Sequence, residues 1–572
     1  MIRSICILAF LSGGIQALHS QALDDKTIPA TSPANTPRWY DYFNESEIST
    51  GWEVIDEITD EPSNWHIEQG FLIENSNIGN VKELTGSHII AGESNWENYF
   101  LKTEFIATDD DFIGVLFRYK DKDNYYCFLH SSQRRITCLG KRVSGVFTVL
   151  DERKNNDAYC SLSLALSALH DTLIVYLDND KILEAYDGDL SSGKIGFLSC
   201  ANAGMFIDYV EVYNELKIIP KNKEAVINRG PYIQSVLDDK ATIMWGTNFP
   251  LNSGVEYGLS KRPEFTINKE NKVTNHEIEL SGLTEETYYY YRVRSGDLTS
   301  EWYSFKSAVN EKTDFKFIAY GDTQLNFLRH KDIIKQIEKH EFDLIVHVGD
   351  AVQYGARENW NIEFFDPLAG ILNSKPVYVS IGNHQLDGKF FYDYFAFPEP
   401  EHENYYSISY GNSFFIFLDN RRAAYPDKLF YAEISKGSVQ YEWLVSQLSS
   451  KEAQAAEWLF VVAHVPSFVI SSQDYYPDCK KYLVPLFEKY GVDVSFSGHV
   501  HGYDRGKVNG VNYVVTGGGG GKLDLSNSKM IRKCENCKLV HNYCTVEISG
   551  KKLSFTAFDI NGDVIDFLEI IK

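Results

Sequence analysis

The sequence predicts a multidomain chain, two β-sandwiches followed by an α/β domain of stacked sheets, and three observations predict it. From Trp39 to Tyr213 short aromatic-rich β-type runs recur, such as Trp65-His66-Ile67 and Phe112-Ile113-Gly114-Val115, with no helical periodicity. A polar linker follows, and a second β stretch opens at Arg229-Gly230-Pro231-Tyr232 and ends near Ala308. Beyond residue 310, five apolar runs in a stretch of α/β character end in residues that suit a metal, and sites in such sheets lie at the carboxyl ends of strands.

A length of 572 residues suits about four domains by size, and the organisation read here gives three. A formal net charge of -24 argues against nucleic acid or an anionic membrane surface as a partner. Residues 1–22, with Arg3, the apolar run Ile5 to Leu18 and Ser20-Gln21-Ala22, read as a cleaved signal peptide, so a secreted, periplasmic or extracellular location is expected. Residues 23–37 form a Pro/Ser/Thr/Asp-rich tether. No later stretch is long and apolar enough for a transmembrane helix.

Without Cys6 in the leader, eight cysteines remain, four before residue 215 and four after residue 470, which suits disulfides in an oxidising compartment. Cys127 and Cys138 flank a turn at Ser131 to Arg134 at equal distances and are expected to face each other across a hairpin. Cys160 and Cys200 would be a second pair. Cys534, Cys537, His541 and Cys544 are spaced either for disulfides, with Cys479 as a further partner, or for a structural zinc.

Residues 38–214 resemble a laminin-G or concanavalin-like jelly roll, on Arg118-Tyr119-Lys120-Asp121-Lys122-Asp123-Asn124-Tyr125-Tyr126, Gly193-Lys194-Ile195-Gly196-Phe197 and Phe206-Ile207-Asp208-Tyr209-Val210. The resemblance implies carbohydrate binding through exposed aromatics, unless those aromatics fill the core. Asp109-Asp110-Asp111 reads as a solvated turn or a calcium contact. Residues 215–227 are the linker. In residues 228–309, Trp245, Leu283, Thr287, Tyr289 and Val293 have the spacing of a fibronectin type III-like sandwich, with Tyr289 in the tyrosine-corner place.

The five strand ends lie in residues 310–572. Phe315 to Tyr320 runs into Gly321-Asp322-Thr323-Gln324, Leu344 to Val348 into Gly349-Asp350, and Val377 to Ile381 into Gly382-Asn383-His384-Gln385. Trp458 to Val462 reaches Ala463-His464, and Val492 to Phe496 reaches Gly498-His499-Val500-His501. The run Gly517 to Gly521 lacks the Lys-Ser/Thr ending of a phosphate loop and reads as a tight turn.

In order and spacing this set resembles the calcineurin-like metallophosphoesterases, and within them the purple acid phosphatases, whose N-terminal β-domain residues 228–309 also resemble. The resemblance implies a four-layer α/β sandwich and a hydrolase of phosphate mono- or diesters with two divalent ions, zinc, manganese or iron, and metal-held water as nucleophile. Carried over by position, Asp322, Asp350 and His501 hold the first ion, and Asp350, Asn383, His464 and His499 the second, with Asp350 bridging. Gln324 either completes the first ion or stands behind it, and His384 contacts the phosphate and assists the leaving group. The family's tyrosine, three residues beyond the bridging aspartate, is Gln353 here, with Tyr354 one later, and its acidic residue after Asn-His is Gln385. The competing reading is a non-catalytic carbohydrate-binding or cell-surface protein that retains the fold. Every ligand type is present, which favours the enzyme.

Overall fold

The computed structural model describes residues 36–58, 62–154, 161–216, 218, 224–237, 239–353, 359–386, 388–398, 403–428, 431–469, 476–524 and 536–572. The leader, nearly all of the tether, Tyr354, Cys160 and Cys534 lie outside them. No helix among the described residues is long and apolar enough to cross a membrane.

Strands between Trp39 and Tyr213 form an eight-stranded and a seven-stranded antiparallel sheet packed into a sandwich. Tyr99–Ala107 alternates strictly between buried and half-buried positions, the period of a strand with one face on a core. The aromatics fill that core: Tyr99, Phe105, Phe117, Tyr126 and Phe128 are buried between the sheets. Trp65 is seated there too, with Nε1 donating to Ser87 Oγ at 2.7 Å.

The expected pairing of Cys127 with Cys138 fails, as does that of Cys200 with Cys160. Cys127, Cys138, Cys200, Cys479 and Cys544 are buried free thiols, whereas Cys537 is disulfide-bonded. In the hairpin Asn124–Ser131 with Ile136–Val143, Ser131 pairs with Ile136, two residues later than equal flanking of 131–134 requires. Cys127 therefore faces Gly140 and Cys138 faces Leu129, and the thiols are diagonal neighbours, too far apart for a disulfide. His541 and Cys544 also turn elsewhere, His541 Nδ1 to Gly518 O and Cys544 to Thr516 Oγ1.

Strands Ile227–Leu237, Lys240–Gly258, Phe265–Leu280, Tyr288–Ser295, Leu298–Thr299 and Tyr303–Lys306 form one strongly bent six-stranded sheet. Trp245 is fully buried in it, stacked on His276 at 4.7 Å, with Nε1 donating to Ser295 Oγ at 2.9 Å. The Tyr289 hydroxyl accepts from Thr284 N–H at 2.9 Å and ties the turn back onto the strand. This module is fused to the next: Tyr232 donates to Tyr394 O at 2.8 Å, and the Arg229 guanidinium lies 3.7 Å from the Tyr394 ring centre.

From Phe315 onward two mixed sheets stack face to face, with helices outside. One runs Val377–Val379, Leu344–His347, Phe315–Tyr320, Asn542–Ser549, Lys552–Asp559, Val564–Ile571. The other runs Tyr406–Tyr410, Ser413–Leu418, Trp458–Ala463, Val494–Ser497, Val511–Thr516, Tyr503–Val508, Cys537–Lys538. Phe317 joins them, its ring edge-on to Phe415, Phe460 and Phe496 at 5.4, 5.5 and 5.9 Å. Phe315–Tyr320, Leu344–His347 and Val377–Val379 are mutually parallel, as are Trp458–Ala463 and Val494–Ser497, so all five predicted strand ends open at one rim.

Candidate metal centre

Each strand delivers its ligand-type residue through a sharp turn. Asp322, Asp350 and His499 have φ of 56°, 47° and 64°, left-handed values that cost non-glycine residues energy and cluster at functional sites. Two glycines make room: a Cβ on Gly382 would overlap Asp350 Oδ1, and one on Gly498 would overlap Asp322 Oδ2.

The residues gather in two linked groups. In one, His464 Nε2 lies 3.0 Å from Asp350 Oδ2 and 3.1 Å from Asn383 Oδ1, and ligand atoms of Asp350, His464 and His499 lie within 4.8 Å of one another. In the other, His501 Nε2 lies 3.4 Å from Asp322 Oδ1 and 3.2 Å from Gln324 Nε2. His499 N–H donates to both oxygens of Asp322, at 2.9 and 3.0 Å, and joins the groups. His384 stands at the open edge, its backbone N–H on Asp350 Oδ1 at 2.8 Å and its Nε2 3.9 Å from Asp350 Oδ2.

The imidazoles are oriented from behind. Nδ1 of His464, His501 and His384 meets the carbonyls of Val348, Lys522 and Gln353 at 2.9, 2.5 and 2.8 Å. A carbonyl accepts only, so each Nδ1 carries the proton and each Nε2 is left toward the site. For His464 this brings Nε2, Asp350 Oδ2 and Asn383 Oδ1 together at one buried point, where burial acts to lower the His464 pKa but Asp350 outweighs it and raises it. Gln324 adds a buried acceptor, since its Oε1 has no hydrogen-bond partner. Nitrogen and oxygen acceptors in this arrangement fit divalent zinc, manganese or iron.

Burial and neighbouring charges shift these groups in opposite directions. Burial would push the Asp350 carboxyl up, but His464 and His384 outweigh it and hold Asp350 well below the usual range. Burial raises Asp322 against the pull of His501. Burial and the neighbouring His464 push His499 down to about 3. For His501 burial acts downward too, but hydrogen bonding to Asp322 carries it up to about 9.

Several contributors are not visible in the sequence pattern. The glycine run is more than a turn: Gly519 N–H donates to Gly321 O and Gly521 N–H to Asp322 O, both at 2.8 Å, and side chains there would strike Gly321 O and the His501 ring. Glu363 is buried, and its Oε2 accepts Leu325 N–H at 2.8 Å and Gln353 N–H at 2.7 Å, bracing the two aspartate loops from behind. Tyr431 donates to the Asn383 carbonyl at 3.1 Å and lies under the Arg421 guanidinium at 4.2 Å. Gln385 does not approach the His384 ring; its Oε1 accepts Gly382 N–H at 2.8 Å and closes its own loop. The place of the missing tyrosine, Gln353, supplies the carbonyl that orients His384.

Comparison with known proteins accords with this geometry. Residues 315–503 match the calcineurin-like phosphoesterase family, and residues 232–307 match the purple acid phosphatase N-terminal domain. The phosphoenolpyruvate phosphatase of Allium cepa is 25% identical over 52% of this chain and 67% of its own length. The probable inactive purple acid phosphatase 27 of Arabidopsis thaliana is 28% identical over 36% of this chain and 39% of its own. The chain thus spans from two fifths to two thirds of the length of these relatives. In fold, it is similar to a purple acid phosphatase from yellow lupin seeds (Lupinus luteus), with a TM-score of 0.53 at 16% identity, covering 85% of this chain and 92% of that one. The chain therefore carries a calcineurin-like phosphoesterase domain behind a purple acid phosphatase N-terminal domain, and its fold is similar to that of a purple acid phosphatase.

Proposed function

We propose that the chain is a secreted, metal-dependent phosphoesterase that hydrolyses phosphate mono- or diesters at a two-metal centre. The observation that carries this reading is the meeting of His464 Nε2, Asp350 Oδ2 and Asn383 Oδ1 at one buried point, with His499 beside them. Asp322, Gln324, Asp350 and His501 would hold one cation, and Asp350, Asn383, His464 and His499 the other. Two divalent cations there would supply charge neutralisation at the phosphate and a lowered pKa for water.

The chain's own residues do the rest. The backbone carbonyls behind His464 and His501 keep those rings in the tautomer that offers Nε2. His384 is oriented in the same way, through Gln353 O, at the only partly covered edge, so Nε2 faces the ester and, when the ring is doubly protonated, can pass its Nε2 proton to the leaving oxygen. No carboxylate backs its Nδ1, so His384 works as a hydrogen-bond partner and weak acid. The strained Asp322, Asp350 and His499 turns are held by the surrounding sheet ends, which keeps the site preorganised.

The test is metal analysis together with hydrolysis of p-nitrophenyl phosphate and its bis-ester by wild type and Asp350→Asn. Two ions per chain and chelator-sensitive turnover are expected in wild type, and both are lost in the variant. Metal-replete wild type that cleaves neither ester nor any natural phosphate ester would return the chain to the binding-protein reading. Secretion is tested by N-terminal sequencing of the mature protein, expected to begin near Leu23.

A further inference from the structure

Beside the metal centre, a cavity of about 420 Å³ opens between the N-terminal sandwich and the phosphoesterase domain. Asn64, His66 and Asn75 line it from the sandwich, and Arg329, Lys522 and His541 from the other side. The centre is its direct neighbour. Leu325 in the lining follows Gln324, and the Lys522 carbonyl is the one that holds His501 Nδ1.

The walls are joined firmly. Arg329 reaches Glu68 at 2.8 and 2.9 Å, Gln69 donates to Asp332 at 2.8 Å, and Thr108 Oγ1 donates to Leu325 O at 2.6 Å. Phe71 and Phe206 of the sandwich pack on Phe327 of the helix that follows Gln324. The space is thus a formed feature of a tight interface.

Its chemistry is that of paired donors and acceptors. The Asn64 and Asn75 amides bond each other at 2.7 Å and retain further donors and acceptors. His66 Nδ1 donates to Asn64 O, and His541 Nδ1 to Gly518 O, both at 3.1 Å, while His66 Nε2 lies 3.8 Å from Glu68 Oε2, which raises the His66 pKa. Burial pushes His541 down to about 4, so its Nε2 is an acceptor at neutral pH. Glu68 neutralises Arg329, and Lys522 Nζ spans the gap to Asn75 O at 3.3 Å. Phe206, the aromatic in the lining, is 1% exposed, so no ring face is offered to a flat base.

We propose that this interdomain cavity is a leaving-group subsite for a polyhydroxylated group, a sugar or polyol whose phosphate ester lies over the metal centre. The proposal rests on the phosphoesterase reading and gives the N-terminal sandwich a role in it, as the wall that selects substrate. Hydroxyls both donate and accept, which matches the amides, the neutral His541 ring and the His66–Glu68 pair, and a polar site of this kind discriminates against leaving groups that leave it unpaired.

The test compares metal-loaded wild type, His66→Ala, His541→Ala and the double variant. Steady-state kinetics use glucose 6-phosphate and p-nitrophenyl phosphate. Saturation-transfer NMR uses glucose 6-phosphonate, in which a P–C bond replaces the ester. The ratio of kcat/KM for the sugar phosphate to that for the aryl phosphate is expected to fall at least tenfold in the double variant, with loss of saturation of the sugar-ring protons. His66→Gln, which keeps a donor and an acceptor, is expected to hold the ratio within about threefold. An equal fall on both substrates, or an unchanged ratio with sugar-ring saturation intact, overturns the subsite while leaving the hydrolase standing. Wild type that cleaves neither ester yet saturates the sugar protons, with the signal gone in the double variant, keeps the cavity and overturns the hydrolase reading.

Discussion

Glu363 ties together the backs of both aspartate loops, and removing it has a cost that follows from its partners. Its Oε2 accepts Leu325 N–H and Gln353 N–H, and its Oε1 accepts the Asn359 amide. Glu363→Ala leaves three buried donors without an acceptor, at roughly 1–3 kcal/mol each, so a loss of at least about 3 kcal/mol is expected. For a domain of this size that corresponds to about 6–12 °C in the transition temperature. Glu363→Gln keeps an oxygen for the two backbone donors but sets an amide N–H against Asn359 Nδ2, and costs only one such conflict. The two variants also differ with pH. Burial pushes Glu363 up to about 8, so the folded protein keeps a proton that the unfolded chain releases near the ordinary glutamate value of 4.5. Wild-type stability therefore declines as pH rises from about 4.5 to about 8, by up to about 1.4 kcal/mol per unit, and the Gln variant lacks this decline. Thermal unfolding of the full-length protein at pH 5.5 and pH 8 reads both effects. Glu363→Ala within 2 °C of wild type, as an order-of-magnitude margin, or a Gln-to-wild-type gap that does not shrink toward pH 8, refutes the reasoning.

Four further outcomes are expected. Gln324→Ala is expected to retain one metal per chain instead of two, because its unpartnered Oε1 is the acceptor lost; elemental analysis showing two ions would exclude Gln324 as a ligand. Concentrated iron-loaded protein is expected to be colourless, since Gln353 stands where the family's phenolate would be, and a strong visible charge-transfer band counts against this. Thiol titration in denaturant without reductant is expected to find at least the five free cysteines; fewer would mean that the sandwich and phosphoesterase thiols pair after all. Burial pushes His276 down to about 4, so the fold favours the neutral ring and its stabilising contribution is lost as pH falls from 6.5 toward 4. His276→Gln is expected to flatten that acid sensitivity in the Trp245 fluorescence transition, and an identical pH slope in the variant would show that other groups cause it.

What the sequence determined by itself is whatever short-range chemistry controls. Period-two alternation announces the strands of the sandwich, as in Tyr99–Ala107, because burial on one face is read along a single strand. The ligand-type residues were legible because each directly follows an apolar run, and the carboxyl ends of parallel strands lie on one rim. Only the tertiary structure decided the partners that depend on long-range register. A two-residue shift of register in one hairpin separates Cys127 from Cys138. Packing brings the Lys522 carbonyl to His501 and lays Gly519 on Gly321, and it sets Glu363 behind two loops that precede it in the chain by 38 and 10 residues. His499 and Asp322 meet across 177 residues for the same reason. A backbone carbonyl or N–H carries no residue identity, so a site oriented by backbone groups leaves no mark in the sequence until the chain is folded.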